Sequence, residues 1–233
     1  MTLLILIPAR GGSKRLPGKN LRPLAGHSLL ERTAWDITAS GLDAPCLLTT
    51  DDEALAEAGR GLGWMVPFLR PAALATDAAP TITAVLHALD WYAHHHHEPD
   101  TIMLLQVTSP LRGAQCLRRA VAMLEARPDA DAVVAMRGVA TAPEHVYTRS
   151  AENLAVSLGR DDRRGTVHTP NGALYLVRGT ALRAHGSLFP PRILPLVMDN
   201  MASLDIDTEA DWALAEAALT AVGSDGVRSG IRQ

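Results

Sequence analysis

The stretch that determines the fold is LLILIPARGGSKRLPGKN, which spans residues 3–20. Its first residues are apolar and predict a buried strand over Leu3–Pro8. Residues 7–20 then hold three glycines, two prolines and four cationic side chains. Glycine allows the backbone to approach a ligand closely, and ligands of open α/β sheets bind beyond the carboxyl ends of strands. The stretch therefore predicts an anion-binding loop at the end of a buried strand.

The loop matches neither of two common phosphate-binding patterns. A P-loop has Gly, four residues and then Gly-Lys-Ser/Thr, whereas Gly18-Lys19 is followed by Asn20. The dinucleotide pattern Gly-x-Gly-x-x-Gly is absent because Gly11 and Gly12 are adjacent. One cation in a loop is usually a solvated side chain, but four of them beside two glycines favour an anion site. The four cations are Arg10, Lys14, Arg15 and Lys19.

The rest of the chain alternates between strand-like and helix-like periodicity. Buried strands are predicted at 3–8, 46–50, 101–107, 132–136, 172–177 and 193–197. Helices are predicted at 28–40, 53–62, 80–92, 113–126 and 208–221, and an extended segment at 64–69. This alternation is typical of a mostly parallel, Rossmann-like α/β sheet with helices on both faces. The periodicity fails over 137–170, so we expect one domain over 1–233 with an arm inside it at 137–170.

Composition argues against several classes of function. The chain has 233 residues and a net charge of −3, so no general basic field favours nucleic acid. The apolar run at 3–7 is too short for a signal peptide core or a membrane span. Cys46 and Cys116 do not have metal-site spacing, and a single disulfide between them would be unusual. We therefore expect a reduced, cytoplasmic protein without a nucleic-acid or membrane partner.

Two carboxylates near the end of the chain suit a divalent cation. Asp205 and Asp207 are separated by one residue in an extended segment, so their side chains share a face and Ile206 points into the core. Mg²⁺ accepts one or two carboxylates and completes its shell with phosphate oxygens and water. The alternative is that Asp207 and Thr208 cap the helix that follows. That alternative accounts for one carboxylate and leaves the other unexplained.

Other polar residues have a structural interpretation beside the functional one. Gln106 lies at the end of one predicted strand and Asn171 at the start of another. Either amide can contact a sugar or serve as a polar group at a strand end. Asp51 and Asp77 are expected to cap helices. Arg70, taken alone, is expected to be a surface cation at a strand end.

Five further motifs follow the opening loop in order. After PARGGSKRLPGKN at 8–20 come TTD at 49–51, RPAALATD at 70–77, QVTSPLR at 106–112, PNGALY at 170–175 and DIDTE at 205–209. Together they resemble the motifs of the acylneuraminate cytidylyltransferase family, which includes the CMP-sialic acid synthetases. They extend from the first strand to the last predicted helix, so the resemblance covers nearly the whole chain.

The resemblance implies an α/β nucleotidyltransferase that joins CTP to a sialic acid-like (nonulosonic) sugar acid and releases pyrophosphate. It also implies a homodimer in which the arm of each subunit reaches over the partner's active site. One alternative is a relative that acts on a sugar 1-phosphate with GTP, or on a phosphonate with CTP. Another alternative is a non-catalytic regulator that binds nucleotide.

The resemblance also implies roles for residues of the motifs. Arg10, Lys19 and Asp207 are implied to be catalytic, and Asp205 and Asp207 are implied to hold Mg²⁺. The implied nucleotide-binding residues are Pro8, Ala9, Arg10, Gly11, Gly12, Ser13, Lys14, Asn20, Arg70, Ala79 and Thr81.

The acceptor side departs from the pattern of the family. Gln106 and Asn171 are the implied contacts of the acceptor. Thr169, however, stands where sialic acid enzymes often have a basic residue. Arg163 and Arg164, on the arm, are the nearest replacements by sequence, so we expect one of them to reach the carboxylate of the sugar acid.

Overall fold

The computed structural model describes residues 2–140 and 167–222, together with the backbone of residues 147–149 and 155–157. In this part of the chain the main sheet consists of β1 Leu3–Pro8, β2 Cys46–Thr49, β3 Thr101–Leu105, β4 Ala132–Gly138, β7 His168–Arg178 and β8 Ile193–Met198. Two short strands, β5 Tyr147–Arg149 and β6 Ala155–Ser157, pair antiparallel with each other. The order across the main sheet is β2-β1-β3-β7-β4-β8.

All strands of the main sheet except β7 run in the same direction. β1 is parallel to β2 and β3, and β4 is parallel to β8. β7 is antiparallel to both of its neighbours, β3 and β4. The predicted mostly parallel sheet is therefore confirmed. Because β7 is reversed, its first residues, rather than its last, reach the edge at which β1 and β3 end.

Helices cover both faces of the sheet, as predicted. They are α1 Leu29–Ser40, α2 Glu53–Gly61, α3 Thr81–His95, α4 Ala114–Glu125, α5 Gly179–His185 and α6 Glu209–Val222. Ile5 and Ile7 pack in one core with α1, α2, α4 and α6, whereas Leu4 and Leu6 pack in the other with α3 and α5. Alternate residues of β1 thus enter opposite layers, as expected for a strand buried on both faces. None of these described helices is long and apolar enough to span a membrane.

The ends of α1 show how local sequence fixes an element. Ser28 Oγ accepts a hydrogen bond from the Glu31 backbone N–H at 3.2 Å, and the Glu31 carboxylate accepts one from the Ser28 backbone N–H at 2.6 Å. This capping box satisfies two N–H groups near the start of the helix. Gly41 ends the helix with φ of 67°, a left-handed conformation that glycine adopts without strain.

The predicted element bounds differ from the structure at several places. The strand predicted at 101–107 ends at Leu105, because the chain leaves the ladder there. The strand predicted at 172–177 begins earlier, at His168. Residues 64–69 join the sheet only through isolated bridges. No helix was predicted at α5, because its seven residues are too few to show a clear helical period.

The arm predicted at 137–170 begins and ends inside the sheet. Arg137 pairs with Thr169 in the ladder between β4 and β7. β5 and β6 also fall within this range. Residues 141–146, 150–154 and 158–166 of the arm, which include Arg163 and Arg164, lie outside the described residues. The single-domain and arm assignments therefore stay predictions.

Both cysteines are free thiols. Burial raises the pKa of the Cys46 thiol to about 11, and burial raises that of the Cys116 thiol to about 12. Since the thiolate is the nucleophilic form, both thiols are unreactive at neutral pH.

Candidate active site

A cleft of about 640 Å³ opens at the sheet edge at which β1 and β3 end. Gly11, Gly12 and Asn171 lie outside its lining, although the resemblance implies ligand contacts for them. Most of the residues with a predicted role in binding or catalysis do line the cleft. They are Pro8, Ala9, Arg10, Ser13, Lys14, Lys19, Asn20, Arg70, Ala79, Thr81, Gln106, Asp205 and Asp207.

Asp77 contacts two of the loop cations in the wall of the cleft. Its Oδ1 lies 2.7 Å from Arg10 Nη1, and its Oδ2 lies 2.6 Å from Lys14 Nζ. The hydrogen bond from Lys14 and the two positive charges lower the pKa of the Asp77 carboxyl. The helix cap predicted at Asp77 is wrong, because α3 begins after Pro80 without a side-chain cap. Asp77 is instead an ionised partner of the loop.

The other two loop cations contact Asp207. Lys19 Nζ donates to the backbone carbonyl of Ile206 at 2.5 Å and to Asp207 Oδ1 at 3.1 Å. Arg15 Nη2 donates to Asp207 Oδ2 at 2.8 Å. The Lys19 side chain is buried and that of Arg15 exposed, so water screens the Lys19 contact less. The four cations thus form two pairs, each bound by one aspartate, so that each group keeps one net positive charge.

The cap of α6 is made without the side chain of Asp207. Thr208 Oγ1 accepts a hydrogen bond from the Asp211 N–H at 3.2 Å. The Asp211 carboxylate accepts from the N–H groups of Thr208 and Asp207 at 2.8 and 3.1 Å. The capping alternative for the Asp207 carboxylate is therefore wrong, and that carboxylate lines the cleft. Ile206, between the two aspartates, is buried in the core, as the alternation of side chains predicts.

The ionised form of the Asp205 carboxyl is disfavoured in the free protein. Burial raises its pKa and the neighbouring charge of Asp207 adds to this, while a hydrogen bond with Thr108 and the charge of Lys19 act in the opposite direction. Its buried Oδ1 has no hydrogen-bond partner, which is costly for a polar atom. Among the described residues, no third His, Cys, Asp or Glu joins the two aspartates in a metal cluster.

Gly11 packs against the start of α2. Its N–H donates to Asp51 Oδ1 at 3.1 Å, and a Cβ built on it would lie 2.3 Å from Asp52 Oδ2. Asp52, whose side chain accepts from the Leu55 N–H, is the N-cap of α2. The cap predicted for Asp51 is thus made by its neighbour, and Asp51 fixes the loop instead. Glycine is required at position 11 because no side chain fits there.

Arg70 lines the cleft with a buried guanidinium. Its Nε donates to Thr49 Oγ1 at 3.2 Å, and its Nη2 donates to the Thr49 carbonyl. Burial lowers its pKa. The surface position expected for Arg70 from the sequence alone is therefore wrong. Asn20 also fixes the loop, because its Nδ2 donates to the Arg10 carbonyl at 3.0 Å.

Gln106 lines the cleft, whereas Asn171 is buried and hydrogen-bonded within the chain. Asn171 Nδ2 donates to Ser203 Oγ at 2.9 Å, and its Oδ1 accepts from the Ala173 N–H at 3.1 Å. The amide thus joins β7 to the segment that leads to Asp205. The position of Asn171 therefore gives a structural role for its amide and places it outside the cleft lining.

Several cleft residues have no ligand role in the sequence-based assignment. Arg15 is one of the four cations of the predicted anion site, but no local pattern reveals its contact with Asp207, 192 residues away. The lining residues without a predicted ligand role are Leu74, Ala75, Thr76, Asp77, Pro80, Ala84, Val107 and Thr108. Most of them belong to the motifs at 70–77 and 106–112. Extending each site assignment over its whole motif would have included them.

This chain is similar to known proteins of one family. Residues 4–175 match the family described as cytidylyltransferase. The CMP-N,N'-diacetyllegionaminic acid synthase of Legionella pneumophila is 31% identical over 223 residues, covering 93% of this chain and 95% of that protein. The N-acylneuraminate cytidylyltransferase of Streptococcus agalactiae is 30% identical over 91% of this chain, which spans 52% of that protein. A pseudaminic acid cytidylyltransferase of Campylobacter jejuni is 33% identical over 52% of each chain.

Solved structures show the same fold. CMP:2-keto-3-deoxy-manno-octonic acid synthetase complexed with CTP superposes with a TM-score of 0.70 at 16% identity, covering 95% of this chain and 99% of that chain. A 4-diphosphocytidyl-2C-methyl-D-erythritol synthase from Anaerococcus prevotii gives a TM-score of 0.66 at 12% identity, covering 94% and 98%. At these identities the likeness concerns the fold alone. The match over residues 4–175 goes further, and this chain belongs to the cytidylyltransferase family.

Proposed function

We propose that this protein, a nucleotidyltransferase, joins CTP to a sialic acid-like (nonulosonic) sugar acid and gives the CMP-sugar and pyrophosphate. The observation that carries the proposal is the cleft, in which the opening loop places four cations next to two aspartates. The names of the relatives support the acceptor class, since they refer to legionaminic, neuraminic and pseudaminic acids.

The proposed reaction explains why the cleft is cationic. A hydroxyl oxygen of the sugar acid attacks the α-phosphorus of CTP, the bond to the β-phosphate breaks, pyrophosphate leaves and the hydroxyl proton is released. Charge develops on the phosphates, so catalysis depends mainly on positioning and electrostatic stabilisation. Arg10, Lys14 and Lys19 would supply that stabilisation by exchanging their aspartate partners for phosphate oxygens.

The remaining lining residues suit the base and ribose of the nucleotide. Pro8 and Ala9 lead from β1 into the cleft, and Ala79 and Thr81 flank the start of α3. Arg70 adds a buried guanidinium whose position is fixed by hydrogen bonds. We assign these residues to the nucleoside, which leaves Gln106 for the acceptor.

We assign Asp205 and Asp207 to Mg²⁺. Both line the cleft, and the buried Asp205 Oδ1 lacks a hydrogen-bond partner within the chain. Carboxylates are the ligands that Mg²⁺ accepts beside phosphate oxygens and water, so the residues present fit this ion. When bound, the ion would neutralise charge and orient the triphosphate.

A homodimer whose sites are completed across subunits by residues 137–170 is part of the proposal. The resemblance supports it, and the arm retains apolar residues such as Val139, Val146 and Leu154 despite its irregular pattern. Light scattering should give the mass of a dimer, and a monomer at micromolar concentration would contradict the assignment. A cytoplasmic location agrees with the two free thiols.

Pyrophosphate release tests the proposed function. The protein is assayed in Mg²⁺ with each common ribonucleoside triphosphate against sialic, legionaminic, pseudaminic and octulosonic acids. We expect release with CTP and at least one of these acids. Release with GTP and a sugar 1-phosphate, or with CTP and a phosphonate, would instead favour those acceptors. Nucleotide binding without turnover on any acceptor would indicate a regulator.

A further inference from the structure

Arg112 is buried next to the cleft without lining it. Its side chain is 0% exposed. Its Nη1 donates to the Gln106 carbonyl at 3.1 Å and to the Ala173 carbonyl at 2.8 Å, and its Nη2 lies 3.5 Å from Asp36 Oδ2 on α1. A buried charge is costly unless it is paired and hydrogen-bonded. A cation in this position therefore needs a reason beyond filling space.

The two carbonyls mark the point at which β3 and β7 separate. The last pair of their antiparallel ladder is Leu105 with Leu174. Gln106 and Ala173 would form the next pair, but the ladder ends before them and both carbonyls accept hydrogen bonds from Arg112. The guanidinium thus takes the place of one step of the ladder where the sheet opens into the cleft.

The side chain of Gln106 lies against Gly172. Gly172 has φ of +83°, and a Cβ built on it would lie 2.9 Å from Gln106 Oε1. A larger residue would be strained and would push the amide away. Arg112 therefore holds the backbone of Gln106 while Gly172 leaves room for its amide. Together they set the direction in which Gln106 enters the cleft.

Asp36 completes the surroundings of Arg112. Its carboxylate faces the guanidinium and accepts a hydrogen bond from the backbone N–H of Gly113. Gly113 has φ of 74° and precedes the first turn of α4. The end of β3, the start of α4 and the middle of α1 therefore meet at Arg112.

We propose that Arg112 is a positioning residue, which fixes Gln106 so that the Gln106 amide contacts the acceptor. This role rests on the proposed function, in which Gln106 contacts the sugar acid. Arg112 itself touches no substrate, because it does not line the cleft. Its effect should therefore reach the acceptor only through Gln106.

The first experiment compares Arg112→Met with Arg178→Met. Arg178 is a matched control, because at the other end of β7 it donates to the carbonyls of Ala130 and Leu124 at 2.8 and 3.0 Å. Arg112→Met should lower kcat/KM for the acceptor about ten- to a hundredfold, while the Kd for CTP changes less than about twofold. Arg178→Met should lower Tm and should leave both the acceptor kcat/KM and the Kd for CTP close to those of the unmodified protein.

A double-mutant cycle separates positioning from general destabilisation. In the Gln106→Ala background, Arg112→Met should change acceptor kcat/KM by less than about twofold, because the side chain that it positions is gone. An effect of equal size with and without the Gln106 side chain would overturn the proposal.

An NMR measurement gives a result that does not depend on turnover. The side-chain amide signal of Gln106, assigned by its loss in Gln106→Ala, should shift in Arg112→Lys and remain in place in Arg178→Lys. An unshifted signal in Arg112→Lys would overturn the positioning role, even if Arg112→Met failed to fold. Absence of turnover in the unmodified protein would instead count against the proposed function, and the Gln106 signal would still decide the role of Arg112.

Discussion

Lys19 Nζ lies 3.1 Å from Asp207 Oδ1, although 188 positions of sequence separate the two residues. The contact joins the opening loop to the segment before α6, where Lys19 also donates to the Ile206 carbonyl. The first and last motifs of the chain thus contribute opposite charges to one cleft. Because the Lys19 side chain is buried, water screens this contact less than it screens an ion pair between two exposed side chains.

Asp207→Ala should reduce turnover by at least about a hundredfold and leave the fold cooperative. The carboxylate lines the cleft, whereas the cap of α6 uses the side chains of Thr208 and Asp211. Removing it therefore removes charge from the site without uncapping the helix. Pyrophosphate release measures the first effect and thermal unfolding the second.

Thr208→Ala is the matched control for this variant. It removes the cap and should lower the free energy of unfolding by about 1 kcal/mol, with kcat/KM close to that of the unmodified protein. If Asp207→Ala lost stability as Thr208→Ala does and kept its activity, Asp207 would be a structural residue.

Asp77→Asn should tighten the binding of CTP. In the free protein the Asp77 carboxylate contacts Arg10 and Lys14, so the triphosphate has to displace it. The amide has the same size without the charge. The Kd for CTP, measured by calorimetry without acceptor, should fall roughly two- to fivefold, the range expected when exposed ion pairs no longer compete.

Glu53→Gln provides the control for Asp77→Asn. It breaks another exposed ion pair, that of Glu53 with Arg60 at 3.0 Å, and neither residue lines the cleft. The Kd for CTP should not change in this variant. Weaker binding in Asp77→Asn would mean that Asp77 contacts the nucleotide or its metal directly.

Excess chelator should stop turnover, and added Mg²⁺ should restore it. Without a cation, Asp205 and Asp207 would repel each other and the triphosphate, and the unpartnered Asp205 Oδ1 would stay unsatisfied. The assay is pyrophosphate release during titration with EDTA and then with Mg²⁺. Full turnover in excess chelator would rule out the metal site.

Asp205→Asn should raise the stability of the metal-free protein at neutral pH. Burial raises the pKa of this carboxyl above its ordinary value of 3.8, so the native state binds its proton more tightly than the unfolded state does. The stabilisation from that proton is fully present below pH 3.8, the ordinary pKa of the group, and is lost as the pH rises through the folded-state pKa. The gain in Tm should therefore be largest at neutral pH and shrink as the pH falls.

Asp129→Asn should change Tm with the opposite pH dependence. The hydrogen bond from Arg127 lowers the pKa of the exposed Asp129 carboxyl to about 2. The ionised Asp129 carboxylate therefore stabilises the folded protein above pH 3.8, and this contribution is lost as the pH falls toward 2. Identical pH profiles of Tm for Asp205→Asn and Asp129→Asn would contradict at least one of the two assignments.

Local patterns predicted the elements that depend on neighbouring residues. The helix predicted at 28–40 agrees with α1, and the structure shows that a capping box of Ser28 and Glu31 fixes its start. Alternation likewise predicted that Ile206 points into the core between two aspartates that line the cleft. In each case the physical cause lies within a few residues, so a local pattern is sufficient.

Pairings between distant residues could not be predicted in the same way. Whether Asp77 caps a helix or contacts Arg10 depends on where the segment 70–84 lies relative to the opening loop, which only the tertiary structure decides. The reversed direction of β7 has the same origin, because a buried strand has the same hydrophobic pattern in either direction. The contact of Arg112 with β7 is equally distant in sequence, since its acceptor, the Ala173 carbonyl, is 61 positions away.

The carboxylate of the proposed acceptor requires a cation, and a bidentate arginine provides the strongest pairing. The position before Pro170 is the neutral Thr169. The sequence offers Arg163 and Arg164 as replacements, and the structure adds Arg137, which is the partner of Thr169 in the ladder with β4. Directly opposed residues have Cβ atoms about 4.5–5.5 Å apart. The Cβ of Arg137 therefore lies next to the position where sialic acid enzymes often have a basic residue, which makes Arg137 a third candidate.

Replacing each of these arginines by alanine identifies the anchor. We expect Arg137→Ala, Arg163→Ala or Arg164→Ala to raise the KM of the acceptor by about one to two decades, because a charge-assisted contact contributes roughly 1.5–3 kcal/mol. The KM of CTP should not change. Arg118→Ala is the control, because this exposed arginine donates to the Ala39 carbonyl at 2.9 Å and does not line the cleft. If all three variants kept the acceptor kinetics of the unmodified protein, none of these arginines would hold the acceptor, and a sugar 1-phosphate or phosphonate would be the better assignment.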